Sequence, residues 1–144
     1  MPRAARLTSE NLIYHITIRS NNRDWIFCDD DDFNGYLDLV RRYRERYQLK
    51  VFHWVIMNNH LHLLLWAADG TKLSKAMQGL ALAYTSRFNR KYARVGQLWQ
   101  GRYKSFPVEE SAYLLECGRY IERNPVRAGI VSASADYPWS SYQG

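Results

Sequence analysis

His60-Leu61-His62 is the most informative tripeptide of this 144-residue chain. On a β-strand, residues two apart leave the same face, so both imidazoles would stand side by side. Two neutral imidazoles so placed can share one divalent ion. The competing reading of any His-x-His is a pair that merely lines a solvated sheet face. A further ligand is needed, and Glu116, Tyr120 and Asn124 are spaced four apart, which stacks them on one helical face. The Asn124 carboxamide oxygen is a hard ligand suited to Mg²⁺ or Mn²⁺. Tyr120, one turn earlier, carries a phenol that can attack a metal-polarised phosphate. Glu116, one turn before that, is placed to accept the phenolic proton. The chain has 11 tyrosines, so packing is the competing reading of Tyr120. Tyr84 shares a helical stripe with Leu80 and Phe88, and Tyr14 shares a strand face with Ile16 and Ile18, which makes both better core candidates.

Charge supplies the second clue. From Gly70 to Val108 there is no Asp or Glu, yet Lys72, Lys75, Arg87, Arg90, Lys91, Arg94, Arg102 and Lys104 are present, interleaved with Tyr92, Trp99, Tyr103 and Phe106. Such a stretch can neutralise phosphates while its aromatics stack on unpaired bases. Arg87, Arg90, Lys91, Arg94, Trp99, Arg102 and Lys104 are the candidate DNA contacts. A solvated basic helix face accounts for Lys72 and Lys75, and for Trp99 core packing and base stacking stand as equal readings. The net charge of +6 agrees with a polyanionic partner.

These side chains need elements to hold them. Leu12 to Arg19 alternates as a strand, with Tyr14, Ile16 and Ile18 on one face and Ile13, His15 and Thr17 on the other. Asp29 to Asp32 supplies acids suited to a helix N-terminus, before Phe33, Tyr36, Leu37 and Val40 recur at helical spacing. Val51 to Met57 and His60 to Trp66 read as a hairpin around the turn dipeptide Asn58-Asn59, with Leu61, Leu63 and Leu65 facing the core. Leu73 to Phe88 marks a second helix, Gly101 to Val108 an extended segment, and Ser111 to Arg123 a third helix stopped by Asn124-Pro125. Leu114, Cys117 and Ile121 form its anchoring stripe. The expected fold is α+β: a ferredoxin-like βαββαβ core with an additional C-terminal helix carrying the tyrosine, which can pack on the open sheet face.

Composition excludes other classes. With 47% hydrophobic residues the chain can bury a core, and its length fits one domain over 1–144. The longest apolar run, Leu61 to Ala68, is too short to span a bilayer, and no signal peptide is visible. Cys28 and Cys117 form no metal-type pair or disulfide framework, so a reduced, cytoplasmic setting is expected. Gly96 and Gly101 have the spacing of a phosphate-binding loop, but Arg102 and Tyr103 stand where Lys and Ser or Thr are required.

Four segments in order resemble one family. The strand entering His60-Leu61-His62 is similar to the His-hydrophobic-His motif of HUH endonucleases. The stretch from Gly96 to Ser105, the run from Tyr120 to Gly129 (YIERNPVRAG) and Pro138-Trp139-Ser140-Ser141-Tyr142 resemble signatures of the REP-associated tyrosine transposases. The resemblance implies that His60, His62 and Asn124 bind Mg²⁺ or Mn²⁺ and that Tyr120 is the nucleophile. It further implies cleavage of single-stranded DNA at hairpin sites, with a 5′-phosphotyrosine retained and a 3′-hydroxyl released. A bacterial, nucleoid-associated protein is implied, without a small-molecule cofactor or membrane partner. A monomer is expected, with a dimer as the alternative. Many relatives carry a C-terminal extension beyond the closing motif, whereas this sequence ends at Gly144. Two rival functions remain open at this level: a non-catalytic nucleic-acid-binding module on a ferredoxin-like sheet, which would form no covalent adduct, and a phosphodiesterase using His60 and His62 to activate water.

Overall fold

The alternating and helical patterns become eight main elements in the computed structural model, which describes residues 12–108 and 111–143. In chain order they are β1 (Leu12–Arg19), α1 (Asp30–Arg46), β2 (Lys50–Ile56), β3 (His60–Ala67), α2 (Gly70–Lys91), β4 (Lys104–Val108), α3 (Ser111–Glu122) and the single turn α4 (Asn124–Arg127). The sheet order is β2-β3-β1-β4 with every pairing antiparallel, the ferredoxin-like split βαβ arrangement. Both long helices start on a carboxylate cap. Asp29 accepts a bond from the Asp32 amide at 2.9 Å, and Asp69 one from the Lys72 amide at 2.8 Å.

Period-two alternation divides the sheet between two cores. Tyr14, Ile16 and Ile18 of β1 and Leu61, Leu63 and Leu65 of β3 meet α1 and α2 in the larger one. On the other face Leu64, Val55 and Met57 pack with Ile121 and Tyr137, flanked by Leu114 and Cys117. The third helix therefore covers the second sheet face through the stripe that its sequence indicates.

Three features depart from the sequence reading. The pairing of β2 with β3 shifts register between Val51 and His53, leaving Phe52 as a bulge. The extended segment joins the sheet only from Lys104, because Gly101 takes a positive φ of 68°. Helix α3 ends before Asn124 as expected, yet Pro125 does not keep the chain out of helical geometry. It sits in the first turn of α4, where its missing N–H costs nothing, and the chain re-enters a helical turn after Glu122. The C-terminal segment runs along edge strand β2, with Ile56 donating to the Trp139 carbonyl at 2.9 Å and Val55 bridged to Ser140. An edge that would otherwise present unpaired amides is thereby covered.

Tyr36 lies in the larger core with its ring edge-on to Phe27 and Tyr84, and its buried hydroxyl has no hydrogen-bond partner among the described residues. Burial also drives the hydroxyl's pKa upward. An orphaned polar group in a core is destabilising, so Tyr36→Phe is expected to stabilise the protein by about 1 kcal/mol. A urea-unfolding midpoint that falls in this variant would contradict the assignment.

Candidate active site

The strand registers place the histidine pair on the sheet face opposite α1 and α2. His60 lies across from Arg19 and His62 across from Thr17 of β1. His15, further along the same face of β1, reaches His62, with Nε2 3.1 Å from Nδ1. On the other side of β1, Lys104 pairs with Thr17 and Phe106 with His15. An open cleft of about 630 Å³ is lined by His15, His62, Lys104, Phe106, Glu116 and Tyr120. Tyr120 stands over it, its ring centroid 6.1 Å from that of His62 and 6.4 Å from that of His15.

Both imidazoles of the pair are held neutral. Burial lowers the His60 pKa, the nearby Arg19 charge lowers it further, and a side-chain hydrogen bond to Asn124 opposes the shift. Burial lowers that of His62 to about 3, assisted by charge on His15, His60, Arg19 and Arg127. His60 Nδ1 donates to the Asn59 side-chain oxygen at 2.8 Å, which leaves the Nε2 lone pair available. The turn dipeptide thus also orients a candidate ligand. Its other member, Asn58, accepts amide bonds from Ile26 and Phe27 and stitches the loop after β1 to the hairpin.

A polar clamp sets the position of α3. The Glu122 carboxylate accepts from His53 Nδ1 at 2.8 Å and from the Ser141 hydroxyl at 2.5 Å. Ser141 in turn accepts the Trp54 amide at 2.9 Å. Gly118 allows the close approach, since a Cβ at that position would lie 2.7 Å from the His53 ring. Beyond the clamp, Arg127 folds back with its guanidinium carbon 3.7 Å from the Tyr120 ring centroid and donates to the Tyr120 carbonyl. That cation–π contact holds the ring of an otherwise half-exposed tyrosine.

The sequence-indicated residues are thus partly gathered. His60 and Asn124 meet, His62 and Tyr120 face the same cleft, and Glu116 lines it one helical turn from Tyr120. The basic segment divides. Lys104 lies at the cleft, and Arg102 borders a separate cavity of about 490 Å³ beside Trp99 and Tyr103. Arg90 is exposed on α2. Arg94 folds onto Asn89 and the Gln97 carbonyl. Arg87 pairs with Asp31, and Lys91 fills the cluster made by Asp29, Asp31 and Asp32 at 2.8, 3.2 and 2.9 Å. Those two positive charges are matched within the fold because the N-terminus of α1 meets the C-terminus of α2. Trp99 is 7% exposed and donates its indole N–H to the Ala81 carbonyl, so of its two readings it takes the packing one.

His15, Arg19 and Arg127 are site residues that spacing did not single out. The strand alternation already put His15 on the histidine face, and Arg127 lies inside the Tyr120 to Gly129 run, but no local pattern links either to His62 or Tyr120.

The His62 shift has a sign that can be measured. Its folded pKa of about 3 lies below the ordinary 6.5, so between those values the unfolded chain binds a proton that the folded chain does not. Stability is therefore full above pH 6.5 and is lost as pH falls towards 3, at about 1.4 kcal/mol per pH unit from this group. The metal-free His62→Gln variant is expected to show a flatter fall in urea-unfolding free energy across this range. An unchanged slope would refute the buried, neutral state of His62.

The family described as "Transposase IS200 like" matches residues 8–124. The fold is that of a REP-associated tyrosine transposase solved bound to a REP hairpin, with a TM-score of 0.81 and 17% identity over 99% of this chain and 84% of that one. A crystal structure of a putative transposase from Deinococcus radiodurans R1 aligns with a TM-score of 0.57 and 22% identity, over 85% of this chain and 97% of that one. No curated protein matches the sequence. The family match spans both the histidine strand and the helix with Tyr120. The chain belongs to the IS200-like transposase family.

Proposed function

We propose that this protein is a divalent-metal-dependent nuclease and strand transferase that cuts single-stranded DNA beside a hairpin through a covalent link to Tyr120. The observation that carries the reading is the meeting of α3 and α4 with the histidine strand: Asn124 comes close enough to His60 to influence its pKa while Tyr120 stands over His62. Family membership and the hairpin bound by the REP-associated relative support the choice of substrate.

The donor set fits a hard or borderline divalent ion. It combines two neutral imidazoles with a carboxamide oxygen, and the His60 tautomer is fixed by Asn59 so that Nε2 is available. His60, His62 and Asn124 would hold Mg²⁺ or Mn²⁺, whose chemistry at this position is to polarise a phosphate oxygen. The chain's own residues supply the rest. Tyr120 Oη forms the new bond to phosphorus in line with the departing 3′-oxygen, and Glu116 receives the phenolic proton. The 3′-oxygen leaves, taking a proton from solvent, and the 5′-phosphate stays on the tyrosine. Attack on that phosphotyrosine by another 3′-hydroxyl restores Tyr120 and joins the strands. Arg127 and the α3 clamp keep the phenol oriented, which lowers the entropic cost of attack. Lys104, Arg102 and Arg90 offer positive charge to the backbone of the bound strand.

Tyr120→Phe removes only a half-exposed hydroxyl, so folding and hairpin affinity should persist while cleavage and the protein–DNA adduct both vanish. Incubation with labelled hairpin DNA and Mn²⁺ followed by a denaturing gel reads the outcome. An adduct surviving in Tyr120→Phe would overturn the nucleophile, and wild-type binding without any adduct would favour the non-catalytic reading. Lys104→Ala should weaken hairpin binding and reduce the slope of log affinity against log salt by about 1, measured by fluorescence anisotropy across a salt series.

A further inference from the structure

His15 is the one imidazole at the cleft for which the proposed reaction has no use. It sits on the central strand β1, half-buried, with Phe106 and Tyr120 rings nearby at 6.5 and 6.4 Å. An apolar side chain would fill that space as well. A partly buried imidazole carries a desolvation cost unless its ring nitrogens find partners. The partner here is His62, whose Nδ1 lies 3.1 Å from His15 Nε2.

Two neutral rings at that separation share one N–H, and only two arrangements are available. In one, His62 Nδ1–H donates to the His15 Nε2 lone pair, and His62 keeps its own Nε2 lone pair. In the other, His15 donates, and the proton of His62 sits on Nε2, where it blocks coordination. The neighbouring ring of the pair shows which arrangement suits the site. His60 is held at Nδ1 by the Asn59 side-chain oxygen, which can only accept, so Nε2 of that ring is the open nitrogen. Both members of the pair are therefore gripped at Nδ1 by a group from an adjoining segment, Asn59 from the β2–β3 turn and His15 from β1.

We propose that His15 is a positioning residue that accepts the Nδ1 proton of His62 and thereby fixes the Nε2 lone pair towards the divalent ion. The proposal rests on the metal reading given above. Acceptors in this position orient the ring and raise its basicity, and their loss weakens metal binding by about 10–100-fold.

The test is Mn²⁺ affinity of the metal-free protein, read by electron paramagnetic resonance of the unbound ion, without reference to cleavage. His15→Phe keeps the volume and removes the acceptor, and is expected to weaken Mn²⁺ binding about 10–100-fold. His15→Gln places an amide oxygen at nearly the reach of Nε2 and is expected to restore affinity close to wild type. If wild type binds Mn²⁺ and His15→Phe binds it equally well, the positioning role is overturned while the metal site stands. If wild type itself does not bind Mn²⁺, both are overturned. Nitrogen-15 NMR of the wild-type imidazoles under saturating Mg²⁺ covers the case of a variant that fails to fold. A proton on His62 Nδ1 supports the proposal, and a proton on Nε2 overturns it.

Discussion

The Glu122 carboxylate is hydrogen-bonded by His53 of β2 and by Ser141 of the C-terminal segment, and through these two contacts α3 takes one azimuth over the sheet. A helix held only by Leu114, Cys117 and Ile121 would be free to roll, since apolar contact is non-directional. A roll of a few tens of degrees would carry Tyr120 away from His62. The clamp is itself conditional on Gly118, where an added Cβ would lie 2.7 Å from the His53 ring. Three separated stretches of sequence therefore cooperate to aim one phenol.

The same logic governs the charges. The chain carries a surplus of basic residues, yet the part of that surplus nearest α1 is matched internally, with Lys91 enclosed by three carboxylates and Arg87 beside Asp31. These bonds hold the Lys91 pKa well above its ordinary value. Asp32 is buried, while Asp29, Asp31 and Arg87 lie at the surface, and together the bonds fix the end of α2 against the start of α1. Lys104, which lines the cleft, and Arg102, at the neighbouring cavity, take no part in these pairs and remain open to an anionic partner.

Much of this architecture was legible in the amino-acid pattern because it depends on period. The two faces of β1, the leucine face of β3 and the anchoring stripe of α3 follow from spacing alone, and so does the side-by-side placement of His60 and His62. The Phe52 bulge was not legible. Val51 to Met57 alternates plausibly without it, yet one extra residue changes the phase of the strand and brings His53 to the α3 face instead of the α1 face. The clamp was hidden for that reason. His15 escaped for another: its partner lies 47 positions away, and long-range side-chain pairing leaves no local signature. The end of α3 before Asn124-Pro125 was legible, but the turn α4 that restarts there was not, because a proline in a first turn is also a start. The destination of Lys91 was equally out of reach, since Asp29, Asp31 and Asp32 read locally as a helix cap.

The sheet is shared by two cores of unequal size, and this inequality divides the molecule by free energy as well as by space. The larger core ties β1, β2 and β3 to α1 and α2 in one unit. The smaller is closed by α3 and the C-terminal segment, with few fully buried side chains. Opening free energies follow buried apolar contact, so the lid formed by α3 belongs to the lower rung of the ladder of partial unfolding. Tyr120 and Asn124 ride on that lower rung, and the histidines on the upper one. Half of the proposed site is therefore fixed to the deeply packed scaffold and half is carried on the part of the fold with the shallower core.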